Sequence, residues 1–270
     1  MLEKIKETTK FIKTRITEQP EIGIILGSGL GNLGENIENP VYIPYSEIPN
    51  FPVSTVKGHK GRMIFGNFGG KRVIALQGRF HFYEGYSMKE VTFPIRVFKE
   101  LGIGLLILSN AAGGMNPAHK IGDIMIINDH INMFPTNPLM GHNEDSLGPR
   151  FPDMSEPYDL SLIEKMNEIA KKNNIHVHNG VYVGVSGPCF ETPAEYRAFR
   201  ILGGDTVGMS TVPEVIAARH GGIPCFACSV ITDLGGGEIA EKVSHEDVIK
   251  AANAAEPVLT LLIRQLVEQI

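Results

Sequence analysis

Short apolar runs alternate with amphipathic stretches along this chain: Ile22-Gly-Ile-Ile-Leu, Arg72-Val-Ile-Ala-Leu, Leu105-Leu-Ile-Leu-Ser, Asp123-Ile-Met-Ile-Ile, Gly180-Val-Tyr-Val-Gly-Val and Pro224-Cys-Phe-Ala-Cys-Ser-Val-Ile. Continuous runs of this kind suit strands covered on both faces. Between them, Met88 to Leu101 and Pro193 to Leu202 read as helices, and Val215-Ile-Ala-Ala-Arg-His runs into Gly221-Gly222 as a helix end does. Near the C-terminus, Val248, Ala252, Ala255, Leu259, Leu262, Leu266 and Ile270 share one face of a long helix over His245 to Ile270, with Ser244 as its N-cap and Asp247 three residues on. The pattern predicts an α/β fold, with a mainly parallel, twisted central β-sheet flanked by helices, in a single domain spanning residues 1–270. Neither an internal repeat nor a low-complexity linker divides it. The stretch from Phe134 to Tyr158, dense in Pro, Asn and Gly, follows neither period. A connection that long is usually functional, and this one is expected to reach a subunit interface or cover a pocket.

The chain has 270 residues, 43% of them hydrophobic, and a net charge of −5, which is ample for one packed core at the upper end of single-domain size. No run approaches the roughly 20 apolar residues of a membrane span, and the opening Met1-Leu-Glu-Lys-Ile-Lys-Glu is charged, so a soluble, cytoplasmic protein is expected. Mild acidity without a Lys/Arg stripe and without Trp argues against a nucleic-acid groove; any bound phosphate should be small and enclosed. Cys189, Cys225 and Cys228 are too few for a disulfide framework, and Cys225 and Cys228, three apart on a strand, point to opposite faces. They are read as neither a redox pair nor part of a zinc site.

Chemistry concentrates at loops. In Cys189-Phe-Glu-Thr-Pro-Ala-Glu-Tyr-Arg, Phe190 can cover the face of a flat heterocycle while Glu191 accepts an N–H from its edge. The same residues also read as a helix start, with Thr192 as cap, Pro193 at the first helical position and Glu195 as the capping-box acid, and the two readings are compatible. The glycines of Ile24-Ile-Leu-Gly-Ser-Gly-Leu-Gly let backbone N–H groups converge on an anion beside the Ser28 hydroxyl. Gly29-Leu-Gly-Asn-Leu-Gly34 also satisfies a dinucleotide-binding fingerprint, but the prolines of Glu38-Asn-Pro-Val-Tyr-Ile-Pro stand where a crossover helix and second strand are required.

A second transition, Leu76-Gln-Gly-Arg-Phe-His-Phe-Tyr-Glu-Gly, presents Arg79, His81 and Tyr83 at alternate positions; Arg79 offers a planar fork for phosphate oxygens and His81 a further hydrogen bond. His59, in Gly58-His-Lys-Gly-Arg, adds another donor from a turn or is a satisfied structural histidine. Leu108-Ser-Asn110-Ala111-Ala112-Gly-Gly ends a strand in small residues that let a ligand approach the backbone, and Val230-Ile-Thr232-Asp233-Leu-Gly-Gly-Gly brings a carboxylate to the same rim, where a turn role for Asp233 is the plainer alternative.

Together, Gly27-Ser-Gly-Leu-Gly, Ser54-Thr-Val-Lys-Gly-His, Gln77-Gly-Arg-Phe-His-Phe-Tyr-Glu-Gly-Tyr, Asn110-Ala-Ala-Gly-Gly, Gly187-Pro-Cys-Phe-Glu-Thr and Gly208-Met-Ser-Thr-Val-Pro-Glu resemble, in order, the trimeric, low-molecular-mass purine nucleoside phosphorylases. The resemblance runs from about Gly23 to the C-terminal helix. It implies a phosphate site from Ser28, His59, Arg79, His81, the backbone at Ala111, and Ser210. Ribose would lie over Tyr83 and Met209, with His245 at its 5′-hydroxyl. The purine would sit among Phe190, Val207, Glu191, Thr232 and Asp233, with Asn110 nearby, and the catalytic roles would fall to His81, Glu191 and Asp233. The family implies a homotrimer that takes inorganic phosphate as co-substrate, without metal or organic cofactor, in purine salvage.

This chain departs from the commonest family pattern at Asp233, where members specific for 6-oxopurines carry Asn. An ionised Asp only accepts hydrogen bonds, so it suits the 6-amino group of adenine. Asp here also resembles the methylthioadenosine phosphorylase branch, whereas His245 suits a 5′-hydroxyl rather than the apolar 5′ group of that branch's substrate. Adenosine is therefore expected as a substrate beside inosine and guanosine, with methylthioadenosine phosphorylase as the alternative. Leu147 stands where members often bring an aromatic residue from the neighbouring subunit, and Leu234 replaces a common Lys. A purine sensor without catalysis would have lost its phosphate ligands, and Ser28, Arg79, His81 and Ser210 are all present.

Overall fold

The computed structural model describes residues 1–56, 58–235 and 242–270. Lys57 of the Ser54–His59 motif, and Gly236 and Gly237 of the glycine run after Asp233, lie outside the described residues. Nine strands form the sheet: β1 (Ile22–Leu26), β2 (Glu38–Pro44), β3 (Arg62–Phe68), β4 (Lys71–Gln77), β5 (Leu105–Gly114), β6 (Ile124–Asn132), β7 (Val177–Gly184), β8 (Thr206–Gly208) and β9 (Cys225–Leu234). Helices α1 (Leu2–Arg15), α2 (Met88–Val91), α3 (Phe93–Leu101), α4 (Leu160–Lys172), α5 (Pro193–Ile201), α6 (Val212–His220) and α7 (His245–Glu268), with three short 3-10 turns, complete the described elements. The α/β class holds. The sheet, however, is more mixed than its uninterrupted apolar runs imply: β1–β4, β1–β5, β5–β9, β6–β7 and β7–β8 are parallel, while β2–β3, β3–β4, β5–β8 and β6–β9 are antiparallel. Burial on both faces, which those runs do report, is shared by parallel and antiparallel strands at the centre of a covered sheet.

The strand order is β2-β3-β4-β1-β5-β8-β7-β6-β9, and β9 returns to pair with β5, so five strands close on themselves while the other four extend as an open arm. β5 is the hinge of this arrangement. One edge of β5 pairs with β1 along Leu105–Leu108 and with β8 only at Gly113 and Gly114, whereas the other edge follows β9 from Leu106 to Gly114. The backbone therefore forks at Ser109–Ala112. Ligands of open α/β sheets collect at such divergences beyond strand carboxyl ends.

Local chemistry sets the helix bounds. The stretch read as one helix from Met88 to Leu101 is two, because Pro94 lacks the N–H that would continue the ladder, and the chain breaks at Thr92. Thr192 caps α5 with a reciprocal bond to Glu195, and Ser244 caps α7 the same way with Asp247. α7 buries Val248, Ala252, Ala255, Leu259, Leu262 and Leu266 along the expected face.

The Gly29–Gly34 fingerprint leads into a 3-10 turn over Gly31–Asn36 and then into β2, which runs antiparallel to β3 at the far end of the arm. The βαβ unit that dinucleotide binding needs is not formed there. Cys225 and Cys228 are buried in β9 as free thiols, and burial pushes both up to about 12. Among the described residues no helix is long and apolar enough to cross a membrane.

Candidate active site

A cavity of about 450 Å³ opens at the fork of β5 and is lined by Asn110, Ala111, Ala112 and Gly113 of that strand. Loops after β1, β2, β4 and β7, the end of β9, β8 with the chain just beyond it, and the start of α7 supply the rest of its wall. Asn110 and Gly113 are three residues apart, so at strand rise the groups they mark stand roughly 10 Å from one another. The two marks carry different chemistry.

Around Asn110 the groups suit an anion. Arg79, 2% exposed, donates from Nη1 to Ser210 Oγ at 2.7 Å and to Thr211 Oγ1 at 3.4 Å, and its Nε lies 3.4 Å from Glu214 Oε1. Among the described residues its Nη2 is buried without a hydrogen-bond partner, as is Asn110 Oδ1. Asn110 donates to Thr211 Oγ1 at 2.8 Å. Thr211 has a φ of 67°, a region a β-branched residue occupies only under strain, and the Glu214 carboxylate accepts its N–H at 2.8 Å. That strained turn carries Ser210 toward Arg79.

His59 stands behind this cluster. The Arg79 backbone N–H donates to His59 Nδ1 at 3.3 Å, with Ser54 Oγ also 3.0 Å away, so Nδ1 is the acceptor and Nε2 carries the hydrogen. Nε2 then donates to Ser28 Oγ at 3.1 Å, leaving the Ser28 hydroxyl hydrogen to point elsewhere. Burial, with the neighbouring His81 ring and the Arg79 charge adding to it, lowers His59 to about 3 and keeps the ring neutral.

His81 stacks between His59 and Tyr83, with ring centroids 5.6 and 4.7 Å apart. Its Nδ1 lies 3.0 Å from Glu84 Oε1. Burial alone would raise Glu84, but bonds from His81 and from the N–H and hydroxyl of Thr55 outweigh it and bring the carboxyl down to about 2. An ionised Glu84 only accepts, so Nδ1 of His81 is protonated and Nε2 is the acceptor of the neutral ring. Burial lowers the His81 pKa and favours that neutral form.

Around Gly113 the groups are acidic and aromatic. Asp233 Oδ1 accepts from Thr232 Oγ1 at 2.9 Å, and Oδ2 accepts from the Tyr196 hydroxyl at 3.0 Å. Burial raises the Asp233 pKa, although these two bonds oppose it. Burial raises Glu191 to about 7, with the Asp233 charge adding to it. Two carboxyls of high proton affinity thus share one wall with Phe190 and Val207.

Of the residues singled out from sequence, Ser28, Arg79, His81, Tyr83, Asn110, Ala111, Phe190, Glu191, Val207, Met209, Ser210, Thr232, Asp233 and His245 all line this cavity. His59 is not among the lining residues, and both its ring nitrogens are engaged by protein groups. Phe134 to Tyr158 has no helix or strand, as expected, but in this chain it does not cover the cavity; Leu147 lines a separate hollow beside Arg96 and His220. Glu84, Glu214 and Tyr196 were not singled out. Glu84 and Glu214 each stand three residues after a cap position, the capping-box spacing that could have flagged them. Among the described residues no group of three or more His, Cys, Asp or Glu side chains could hold a metal ion.

The model of the phosphorylase superfamily matches residues 21–268. The chain is 51% identical over 269 residues to purine nucleoside phosphorylase 1 of Bacillus subtilis (strain 168), covering 100% of this chain and 99% of that one. It is 44% identical over 275 residues to the purine nucleoside phosphorylase of Rattus norvegicus, covering 99% and 95%. Among solved structures, the Schistosoma mansoni purine nucleoside phosphorylase in complex with adenosine superposes with a TM-score of 0.94 at 42% identity, covering 100% of this chain and 98% of that one. With a shared fold, identities of 42–51% and near-complete coverage, the chain belongs to the phosphorylase superfamily and, within it, to the purine nucleoside phosphorylases.

Proposed function

We propose that the chain catalyses reversible phosphorolysis of purine ribonucleosides and deoxyribonucleosides, giving the free base and (deoxy)ribose 1-phosphate, and that it accepts adenosine as well as inosine and guanosine. The reading extends to a cytoplasmic homotrimer serving purine salvage, with inorganic phosphate as co-substrate and neither metal nor organic cofactor. The observation that carries it is the buried Arg79 guanidinium on the wall of a cavity that also holds two carboxyls, its Nη2 lacking a partner among the described residues. A buried fork of this kind calls for an anion, and phosphate matches it in shape and charge.

In this reading phosphate lies among Arg79, Ser28, Ser210, His81 and the backbone of Ala111, with His59 acting through Ser28. Ribose lies against Tyr83 and Met209, with His245 at the 5′ end. The base lies among Phe190, Val207, Glu191, Thr232 and Asp233, with Asn110 nearby. As the C1′–N9 bond breaks, its electron pair leaves with the purine and positive charge grows on ribose; the phosphate charge offsets it, and a phosphate oxygen then bonds to C1′. The phosphate hydroxyl proton is lost as the base gains one, so charge balances. His81, with Nε2 as acceptor, can orient that hydroxyl, while Glu191 and Asp233 stabilise the departing base.

Support for adenosine comes from Asp233, an acceptor when ionised, and from the adenosine complex of the Schistosoma mansoni relative. The methylthioadenosine reading is not favoured, because curated relatives of 42–51% identity are named purine nucleoside phosphorylases. The test is base release from inosine, guanosine, adenosine and methylthioadenosine, each with and without phosphate. Phosphate-dependent release from inosine, guanosine and adenosine is expected. No phosphate-dependent release from any of them, or a clear preference for methylthioadenosine, would overturn the reading.

A further inference from the structure

Tyr196 has no part in the roles assigned so far, yet its hydroxyl touches the group that sets this pocket apart. The residue begins the second turn of α5, is 4% exposed, and donates to Asp233 Oδ2 at 3.0 Å. Two glycines make room for it: a Cβ on Gly235 would come within 2.2 Å of the Tyr196 ring, and one on Gly113 within 2.8 Å of its hydroxyl and 2.9 Å of Asp233 Oδ2. Thr232 holds the other Asp233 oxygen.

We propose that Tyr196 is a positioning residue for base specificity: its hydroxyl bond to Asp233 favours the carboxylate form of that residue, leaves the proton of the acidic pair on Glu191, and so tunes the pocket toward 6-aminopurines. The inference rests on the purine-nucleoside reading above.

The hydrogen-bond inventory of the bases supplies the reason. A 6-aminopurine presents a bare N1 and two amino hydrogens, so its partners are an acid that donates to N1 and a carboxylate that accepts from the amino group. Glu191 as the acid and Asp233 as the carboxylate meet both. A 6-oxopurine presents N1–H and a carbonyl, which needs the reverse: Glu191 ionised and Asp233 protonated. One proton shared between two carboxyls serves either base, and the arrangement depends on which carboxyl is better stabilised as an anion. Tyr196 has a single hydroxyl hydrogen and gives it to Asp233 Oδ2 at 3.0 Å; the hydroxyl also lies close enough to Glu191 to lower that carboxyl, but less than burial and the Asp233 charge raise it. Burial, with the Asp233 and Glu191 charges adding, raises the pKa of the Tyr196 phenol, so it remains a donor. The Asp233 anion gains a charged hydrogen bond that the protonated form replaces with a weaker neutral one.

The test measures kcat/KM for adenosine and inosine, each with phosphate, in the full-length enzyme and in Tyr196→Phe, Asp233→Asn and the double variant. Tyr196→Phe should lower the adenosine-to-inosine ratio about tenfold, the difference between a charged and a neutral hydrogen bond. In the Asp233→Asn background, where no anion exists to favour, the same change should move the ratio less than twofold. An unchanged ratio in Tyr196→Phe, or an equal shift in both backgrounds, would overturn the role of Tyr196, because a merely structural tyrosine would act alike in both. A wild-type enzyme active on inosine and inactive on adenosine would overturn this inference while leaving the phosphorylase reading standing; inactivity on both would overturn the two together.

Discussion

Glu84→Gln isolates what holds the histidine at the candidate phosphate site. The Glu84 side chain is 2% exposed, and its carboxylate accepts the His81 N–H at 2.8 Å, His81 Nδ1 at 3.0 Å, the Thr55 N–H at 2.8 Å and the Thr55 hydroxyl at 2.6 Å. Its pKa lies near 2 against an ordinary 4.5, and at about 1.4 kcal/mol per tenfold change in proton affinity the ionised group is worth roughly 3 kcal/mol of stability. Because the folded value is the lower one, that stability is complete above pH 4.5 and is lost as pH falls through 4.5 toward 2. A Gln of the same size keeps one acceptor oxygen and turns an NH₂ group toward two donors, either the His81 pair or the Thr55 pair. Urea unfolding should show the variant less stable by about 2–3 kcal/mol at pH 7, with the gap to wild type narrowing below pH 4.5. A gap under about 1 kcal/mol at pH 7, or one that stays constant as the solution is acidified, would refute the reasoning.

Three further outcomes follow from the same geometry. Arg79→Lys keeps a positive charge beside Glu214 but removes the fork, so KM for phosphate should rise about tenfold or more in initial-rate assays while the fold, monitored by circular dichroism, persists. Glu191 has a raised pKa near 7, so the unfolded chain loses this proton first and wild-type stability should fall as pH rises from 4.5 to 7; the urea midpoint of Glu191→Gln should show less of that decline, and parallel profiles would count against the raised value. Gly113→Ala would place a methyl within 3 Å of both the Tyr196 hydroxyl and Asp233, and should raise KM for nucleoside more than KM for phosphate. Equal changes in both would show that the mark at Gly113 does not belong to the base.

Much of the fold and cavity was legible because the relevant signals are local. The strand runs at Ile22, Arg72, Leu105 and Pro224 became β1, β4, β5 and β9, and the caps at Thr192 and Ser244 formed as their spacing predicts. α1 was overlooked because two of its four buried residues, Thr8 and Thr9, are polar by type, which blurs the helical stripe of Ile5 and Ile12. β8 escaped because three residues are too few to show a period. At the site, two of the residues missed act through distant partners: Glu214 reaches back to Arg79, and Tyr196 meets Asp233 across 37 positions. Position along the chain also did not reveal that His59 would spend both ring nitrogens on protein groups, which required knowing that the turn carrying it packs behind Ser28.

Among the described residues, the closure of five strands onto themselves leaves the sheet with one outer strand at the end of its arm, β2. An exposed strand rim is a template on which other chains can add and polymerise. Here that rim carries Pro40 and Pro44, which have no N–H to offer, Asn39 in a left-handed conformation, and a register shift between Glu38 and Val41. The architecture that creates the cavity thus also confines the hazard of edge-to-edge association to a single segment whose backbone is poorly suited to it.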